Sequence, residues 1–182
     1  TKSKSRIKQL SGILKNQNIY LPEYVGKDPN DDTVGYEKIK KLIDLGMLSG
    51  GYSNNYYFNK EATLSTLCNA LVNALQRGGS EKYDLASSSR ITRYYSSDKL
   101  TGGAAARIVV GFLEKYTEPA QVVRAKSQTD EEFAAKKKER IAKIEKDCWE
   151  IAQKEGYFSE NFGIDDVLTY RNVLIIAVDT IE

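Results

Sequence analysis

The apolar positions of this chain fall mostly at helical spacing, in blocks separated by polar or glycine-rich breaks. Ile7, Leu10, Ile13 and Leu14 stand three and four residues apart and predict a short amphipathic N-terminal helix within residues 1–19. Leu21-Pro22 breaks that pattern, and the polar run from Gly26 to Asp32 reads as a loop in which Asp32 or Thr33 caps the next helix. From Val34 to about Leu45, Tyr36, Ile39, Leu42 and Ile43 share one helical face with lysines opposite. Gly46 is a natural stop, after which Met47 and Leu48 form an apolar plug and Ser49-Gly50-Gly51 turns the chain. Tyr56, Tyr57 and Phe58 then make a short extended aromatic segment.

Leu64, Leu67, Cys68, Leu71, Val72 and Leu75 define the next helix, with Ser65 as its predicted cap and Gly78-Gly79 as its end. Residues 80–93 are polar and read as a short helix or loop. Thr101 opens a helix through about Tyr116, with Ile108, Val109, Phe112 and Leu113 inward. Its start, Gly102-Gly103-Ala104-Ala105-Ala106, carries so little bulk that another backbone can approach closely. Residues 117–128 read as a connection. Thr129 and Glu132 have capping-box spacing, and the acidic front and basic rear of the next few turns suit the helix dipole. Ile141, Ile144, Cys148, Ile151 and Ala152 supply a buried stripe to about Glu155, where Gly156 stops the helix. Tyr157, Phe158 and Phe162 repeat the aromatic segment, and Thr169 opens a last helix carrying Val173, Leu174, Ile176 and Ala177. The expected class is all-α with little strand.

One phrase occurs three times. An aromatic residue is followed seven positions later by Ser or Thr opening an apolar helix: Phe58 and Ser65, Tyr94 and Thr101, Phe162 and Thr169. Leu64, Leu100 and Leu168 immediately precede the hydroxyl residues. Such recurrence implies a repeated supersecondary unit. The hydroxyls are explained by capping and the aromatic trio by repeat core.

Composition narrows the chemistry. With 27 basic and 25 acidic residues the formal charge is only +2, which argues against bulk-charge binding to nucleic acid. The chain has no histidine, which excludes Ser or Cys catalysis through a His base and His-bound zinc. Its two cysteines, Cys68 and Cys148, fall on apolar helix faces and read as small buried hydrophobes. No stretch approaches a membrane span, no signal peptide is visible, and the opening Thr suggests a processed or trimmed start. No metal or cofactor site is expected.

The block YEKIKKLIDLGMLSGGYSNNYYFNKEATLSTLCNALVNAL runs helix, Gly stop, apolar plug, aromatic, polar loop and capped helix. It resembles an S-layer homology (SLH) domain, as does DCWEIAQKEGYFSENFGIDDVLTYRNVLIIAV; RITRYYSSDKLTGGAAARIVV keeps the later half of the pattern. The resemblance covers roughly residues 20–182. It implies one pseudo-threefold bundle of three helix-loop-helix repeats, approximately 20–79, 80–117 and 118–182. It also implies a non-catalytic module at the bacterial cell wall or S-layer, whose inter-repeat grooves hold secondary cell-wall polysaccharide, often pyruvylated, to anchor a surface protein.

The family's Thr-Arg-Ala-Glu motif matches Ser65-Thr66-Leu67-Cys68, Thr101-Gly102-Gly103-Ala104 and Thr169-Tyr170-Arg171-Asn172. The hydroxyl persists, whereas Thr66, Gly102 and Tyr170 replace the Arg, and Cys68, Ala104 and Asn172 replace the Glu. An Arg fork is what a carboxylate-bearing sugar needs for bidentate recognition. The candidate ligand-binding residues are therefore Ser65, Thr66, Thr101, Gly102, Thr169, Tyr170 and the displaced Arg171, with Arg93 and Tyr94 of the second copy. Arg90 and Lys99 flank the latter pair, making this segment the best place for an anion. Tyr52, Tyr56, Tyr57, Tyr95 and Trp149 are sugar-stacking candidates. Two other classes stand beside polymer binding. One is the same fold used for protein–protein assembly in an envelope structure, including self-association or contact with an S-layer protein. The other is nucleic-acid binding by the helix around residues 126–146, through Lys136-Lys137-Lys138-Glu139-Arg140, otherwise a solvated face. No acid–base pair or partnered nucleophile emerges from spacing; Asp165 and Asp166 read as turn chemistry.

Overall fold

Thr63, not Ser65, starts the first helix of the computed structural model, which describes residues 60–75 and 85–181. The expected helices within 1–19 and 34–45, the apolar plug, Tyr52, Tyr56, Tyr57, Phe58 and the Gly78-Gly79 stop lie outside the described residues. Four α-helices dominate the rest: α1 (Leu64–Asn73), α2 (Gly102–Phe112), α3 (Asp130–Glu155) and α4 (Tyr170–Ile181). The low-apolarity stretch before Tyr95 forms short 3₁₀ turns at Leu85–Arg90 and Thr92–Tyr94. Among the described residues there is no β-strand, and no helix is long and apolar enough to cross a membrane.

Each helix begins where a threonine satisfies amides that the helix itself cannot. The Thr63 Oγ1 accepts from the Thr66 amide at 3.3 Å, while the Thr66 Oγ1 accepts from the Thr63 amide at 3.0 Å, a reciprocal box. Thr101 accepts from the Ala104 amide at 3.2 Å. Thr129 and Glu132 form the box that their spacing predicts. At α4, the Thr169 amide donates to Asn172 Oδ1 at 2.9 Å and the Asn172 amide returns to Thr169 Oγ1 at 3.5 Å. The sequence-based assignment of Ser65 as a cap is thus corrected by two residues. Ser65 lies inside the first turn of α1, where its hydroxyl donates to the Ser96 carbonyl and accepts from the Ser96 amide, both at 2.9 Å.

Helix ends also obey local chemistry. Gly156 takes a left-handed conformation (φ 67°) after α3, and the Tyr157 amide reaches back to the Ala152 carbonyl at 3.0 Å. The helix from Thr101 ends at Phe112 rather than near Tyr116. There Glu114 takes the left-handed role (φ 57°), with the Glu114 and Lys115 amides donating to the Gly111 and Val110 carbonyls at 3.1 Å each. A side chain in that conformation departs from the usual glycine, so no sequence signal marks this end.

α2 is apolar on both sides and is buried on both. Ala104, Ala105, Ile108, Val109 and Phe112 join a core with Leu67, Cys68 and Leu71 of α1 and Val173, Leu174, Ile176 and Ala177 of α4. Ala106 and Val110 face a second cluster with Ile144, Cys148 and Ala152 of α3. The expected stripe of α3 is accordingly shorter than its pattern implies: Ile151 is half-buried and Ile141 is 38% exposed, because the helix leaves the body before reaching it. Both cysteines are free and fully covered, and burial pushes each thiol up to about 12.

Candidate functional site

The Leu and hydroxyl positions of the repeated phrase lie at the N-termini of α1, α2 and α4, which converge. The residue before each capping threonine takes part in a closed cycle of backbone hydrogen bonds. Ala62 N–H donates to the Leu168 carbonyl at 2.9 Å, Leu168 N–H to Leu100 at 2.8 Å, and Leu100 N–H to Ala62 at 2.9 Å. Three isolated antiparallel bridges, Glu61 with Thr169, Thr63 with Lys99 and Thr101 with Val167, flank it.

A second cycle, running in the opposite sense around the three segments, continues into the helices. The first amides of α1, α2 and α4, on Leu64, Gly102 and Tyr170, donate to the carbonyls of Asp98, Asp166 and Lys60 at 3.0, 3.0 and 2.9 Å. Each acceptor stands three residues before the threonine of a neighbouring copy. One residue further, Ser65 donates to Ser96 at 3.0 Å and Gly103 to Ile164 at 2.8 Å, acceptors five residues before Thr101 and Thr169. Amides that commonly remain for water or an anion are thereby taken up by backbone.

The predicted close approach occurs at Gly102. A Cβ there would run into the carbonyl oxygen of Gly163, with Trp149 3.0 Å away. Gly102 and Tyr170 are buried; Thr101 and Thr169 are half-buried and serve as caps. Thr66 is occupied with Thr63. Arg171 pairs with Glu160 at 2.8 Å, and Asn172 donates to the same carboxylate at 3.1 Å. The predicted turn at Asp165 and Asp166 is present, with Asp166 Oδ2 accepting from the Gly163 amide at 2.6 Å.

Tyr94 is part of the core, 4% exposed, rather than a surface platform. Its hydroxyl fills the space beside Gly111, where a Cβ would meet it. Arg93 and Arg107 stand over its ring at 4.8 and 5.4 Å from the centroid. Of the flanking cations, Arg90 donates to the Phe112 carbonyl at 3.0 Å and pairs with Glu114 at 3.4 Å, and Lys99 pairs with Glu61 at 2.9 Å. Arg93 is exposed and makes no ion pair among the described residues.

Behind Arg93 lies a constellation that sequence reasoning missed. Arg107 forks onto both oxygens of Glu118 at 2.7 and 3.1 Å, and Arg140 approaches the same carboxylate at 3.7 Å. Arg140 also donates to the carbonyls of Pro119 at 2.6 Å and Ala120 at 3.1 Å. The basic run on α3 is therefore solvated at Lys136, Lys137 and Lys138 but structural at Arg140. Burial raises the Glu118 carboxyl, yet the Arg107 hydrogen bonds and the charges of Arg107, Arg93 and Arg140 outweigh it and hold the carboxyl below its ordinary range. A lone Arg107 inside the apolar run AAARIVVGF was the available signal; nothing local marked Glu118 as its partner.

Trp149, Phe158 and Phe162 form an aromatic cluster, with centroids 5.1 to 6.3 Å apart. Trp149 is half-buried within it, and Tyr95, 44% exposed, donates its hydroxyl to Asn69 at 3.0 Å. No protein-family model, curated protein or solved structure matches this chain.

Proposed function

We propose that this chain is an SLH-like module of a bacterial cell surface, a three-repeat pseudo-threefold bundle that holds anionic secondary cell-wall polysaccharide without catalysis. The observation that carries the reading is the closed cycle through Ala62, Leu100 and Leu168, with first-turn amides donated at equal offsets around it. Three segments related in that way support repeats of approximately 20–79, 80–117 and 118–182. Arg93 is the cation best placed to meet an acidic sugar, because it is exposed while its neighbour Arg107 is committed to Glu118. Purified protein should sediment with sacculi that retain their polymer and not with stripped ones, and Arg93→Ala should weaken that binding by about tenfold. Equal recovery with both kinds of sacculi would sink the reading.

A second reading, protein–protein assembly on the same fold, is favoured by a specific observation. The positions immediately after the caps are Leu64, Gly102 and Tyr170, none of which offers a guanidinium, and Arg171 is spent on Glu160. Sedimentation with polymer-bearing sacculi distinguishes the two: assembly predicts self-association with no affinity for polymer.

A further inference from the structure

The N-terminal half of α3 has no body to rest on. In its 26 residues only Ile144, Cys148 and Ala152 are buried, and every side chain from Asp130 to Lys143 is exposed or half-exposed. The connector covers one side of this projection: Arg140 grips the Pro119 and Ala120 carbonyls, and Arg124 pairs with Asp130 at 2.6 Å and stands 5.9 Å from the Phe133 ring centroid. The other side is open. At about 100° per residue, Glu131, Ala134, Ala135 and Lys138 share one face to the side of the buried stripe, at the i, i+3, i+4 and i+7 spacing of a helix-pairing seam. All four are exposed, and neither Glu131 nor Lys138 makes an ion pair or side-chain hydrogen bond among the described residues.

The charge order along this seam is self-complementary only in one orientation. The sequence DEEFAAKKK places three acids, a small apolar centre and three bases in succession. Laid antiparallel on a second copy and crossed at Ala134-Ala135, Glu131 of each chain faces Lys138 of the other. Glu131 and Glu132 then lie over Lys138 and Lys137, twice by symmetry. A parallel pairing would set like charge on like. The alanines at the crossing let the two backbones come close, and the opposed macrodipoles favour the same orientation. A two-fold pairing of this kind is isologous and closes on itself, giving a dimer rather than a fibre.

We propose that the exposed face of α3 docks antiparallel against the same face of a second copy of this chain, with Glu131–Lys138 pairs as its register. This surface lies on the projecting part of α3, goes beyond the polymer reading and does not depend on it. A dimerisation failure leaves sacculus binding by the monomer to be measured separately.

The test is a charge-swap cycle on the full chain, read by sedimentation velocity over a micromolar to millimolar series at low and high salt. Wild type should dimerise, more strongly at low salt. Glu131→Lys and Lys138→Glu should each weaken dimerisation by about tenfold, since each converts two attractive pairs into repulsive ones. The double variant E131K/K138E should restore it, as should an equimolar mixture of the two single variants. Ala135→Arg should block it by bulk while leaving the helical circular dichroism unchanged. A wild type that stays monomeric throughout, or a dimer unaffected by the single reversals or not recovered by the double variant and the mixture, overturns the proposal.

Discussion

The amide of Leu168 donates to the carbonyl of Leu100 at 2.8 Å, joining the strand-like residue before one helix to the residue before another, 68 positions earlier. Neither residue is in a sheet, yet both amides and carbonyls are satisfied, because Ala62 completes the cycle. The result places three helix N-termini around one small backbone ring and buries Leu100 and Leu168 beneath it. Capping, docking and core formation are therefore one event in this part of the molecule.

Gly102 tests the tightness of that docking. Gly102→Ala brings a methyl group against the Gly163 carbonyl oxygen, which is backbone and cannot swing aside. A loss of about 2 kcal/mol in urea unfolding is expected. A change within experimental error would mean that the loop before Val167 yields, and that the close approach is incidental.

The cap assignment is checked by Thr63→Ala, Thr101→Ala and Thr169→Ala, each expected to cost about 1 kcal/mol. Thr66→Ala removes the returning half of the α1 box and should cost less, since the Thr63 hydroxyl keeps its amide partner. Thermal unfolding of the four variants is sufficient. An unaffected Thr63→Ala protein would contradict the observed start of α1.

Helix ends give a paired prediction of opposite sign. Gly156→Ala forces a side chain into φ 67° with no compensating contact within 4 Å, and should destabilise by about 1 kcal/mol. Glu114→Gly relieves the same kind of strain at φ 57° and should stabilise by about 0.5 kcal/mol after the added freedom of the unfolded chain is counted. The Arg90–Glu114 pair lost in the process is exposed on the Glu side, so it subtracts little.

The Arg107–Glu118 fork links stability to pH. The folded Glu118 carboxyl lies below its ordinary value of 4.5, so folding favours its charged form. Its contribution is fully present above that ordinary value and is lost as pH falls through the lower folded one. Glu118→Gln should cost roughly 2 kcal/mol at pH 7 and flatten the acid limb of the stability curve below about pH 4.5. Arg107→Lys keeps the charge but not the two-pronged geometry, and should fall between wild type and Arg107→Ala. Denaturation midpoints across an acid series measure all of these.

Much of the helical content was legible because it depends on neighbours in sequence. Thr129 with Glu132, Gly156 after Glu155, and the apolar spacing of Ile144, Cys148 and Ala152 define α3 with no reference to the rest of the molecule. The recurrence of Leu100-Thr101 and Leu168-Thr169 was legible for the same reason, since a cap bonds amides two and three residues away. The candidate site was legible only as a set of positions: the phrase pointed to the N-termini that converge, but not to the carbonyls that occupy them.

Sequence alone determined the helical class, the cap at Thr101, the small-residue entry of α2 and the burial of both cysteines, all consequences of local bonding and one-dimensional spacing. Tertiary structure decided which hydroxyl opens α1. Ser is at least as good a cap as Thr in isolation, yet Thr63 was selected through Ala62, whose amide and carbonyl are held by Leu168 and Leu100. It also decided that Ile141 stays half in solvent, that Arg140 leaves the lysine face for the connector, and that Arg107 finds Glu118. Those outcomes depend on where distant backbone passes, and hydrophobic periodicity carries no record of that.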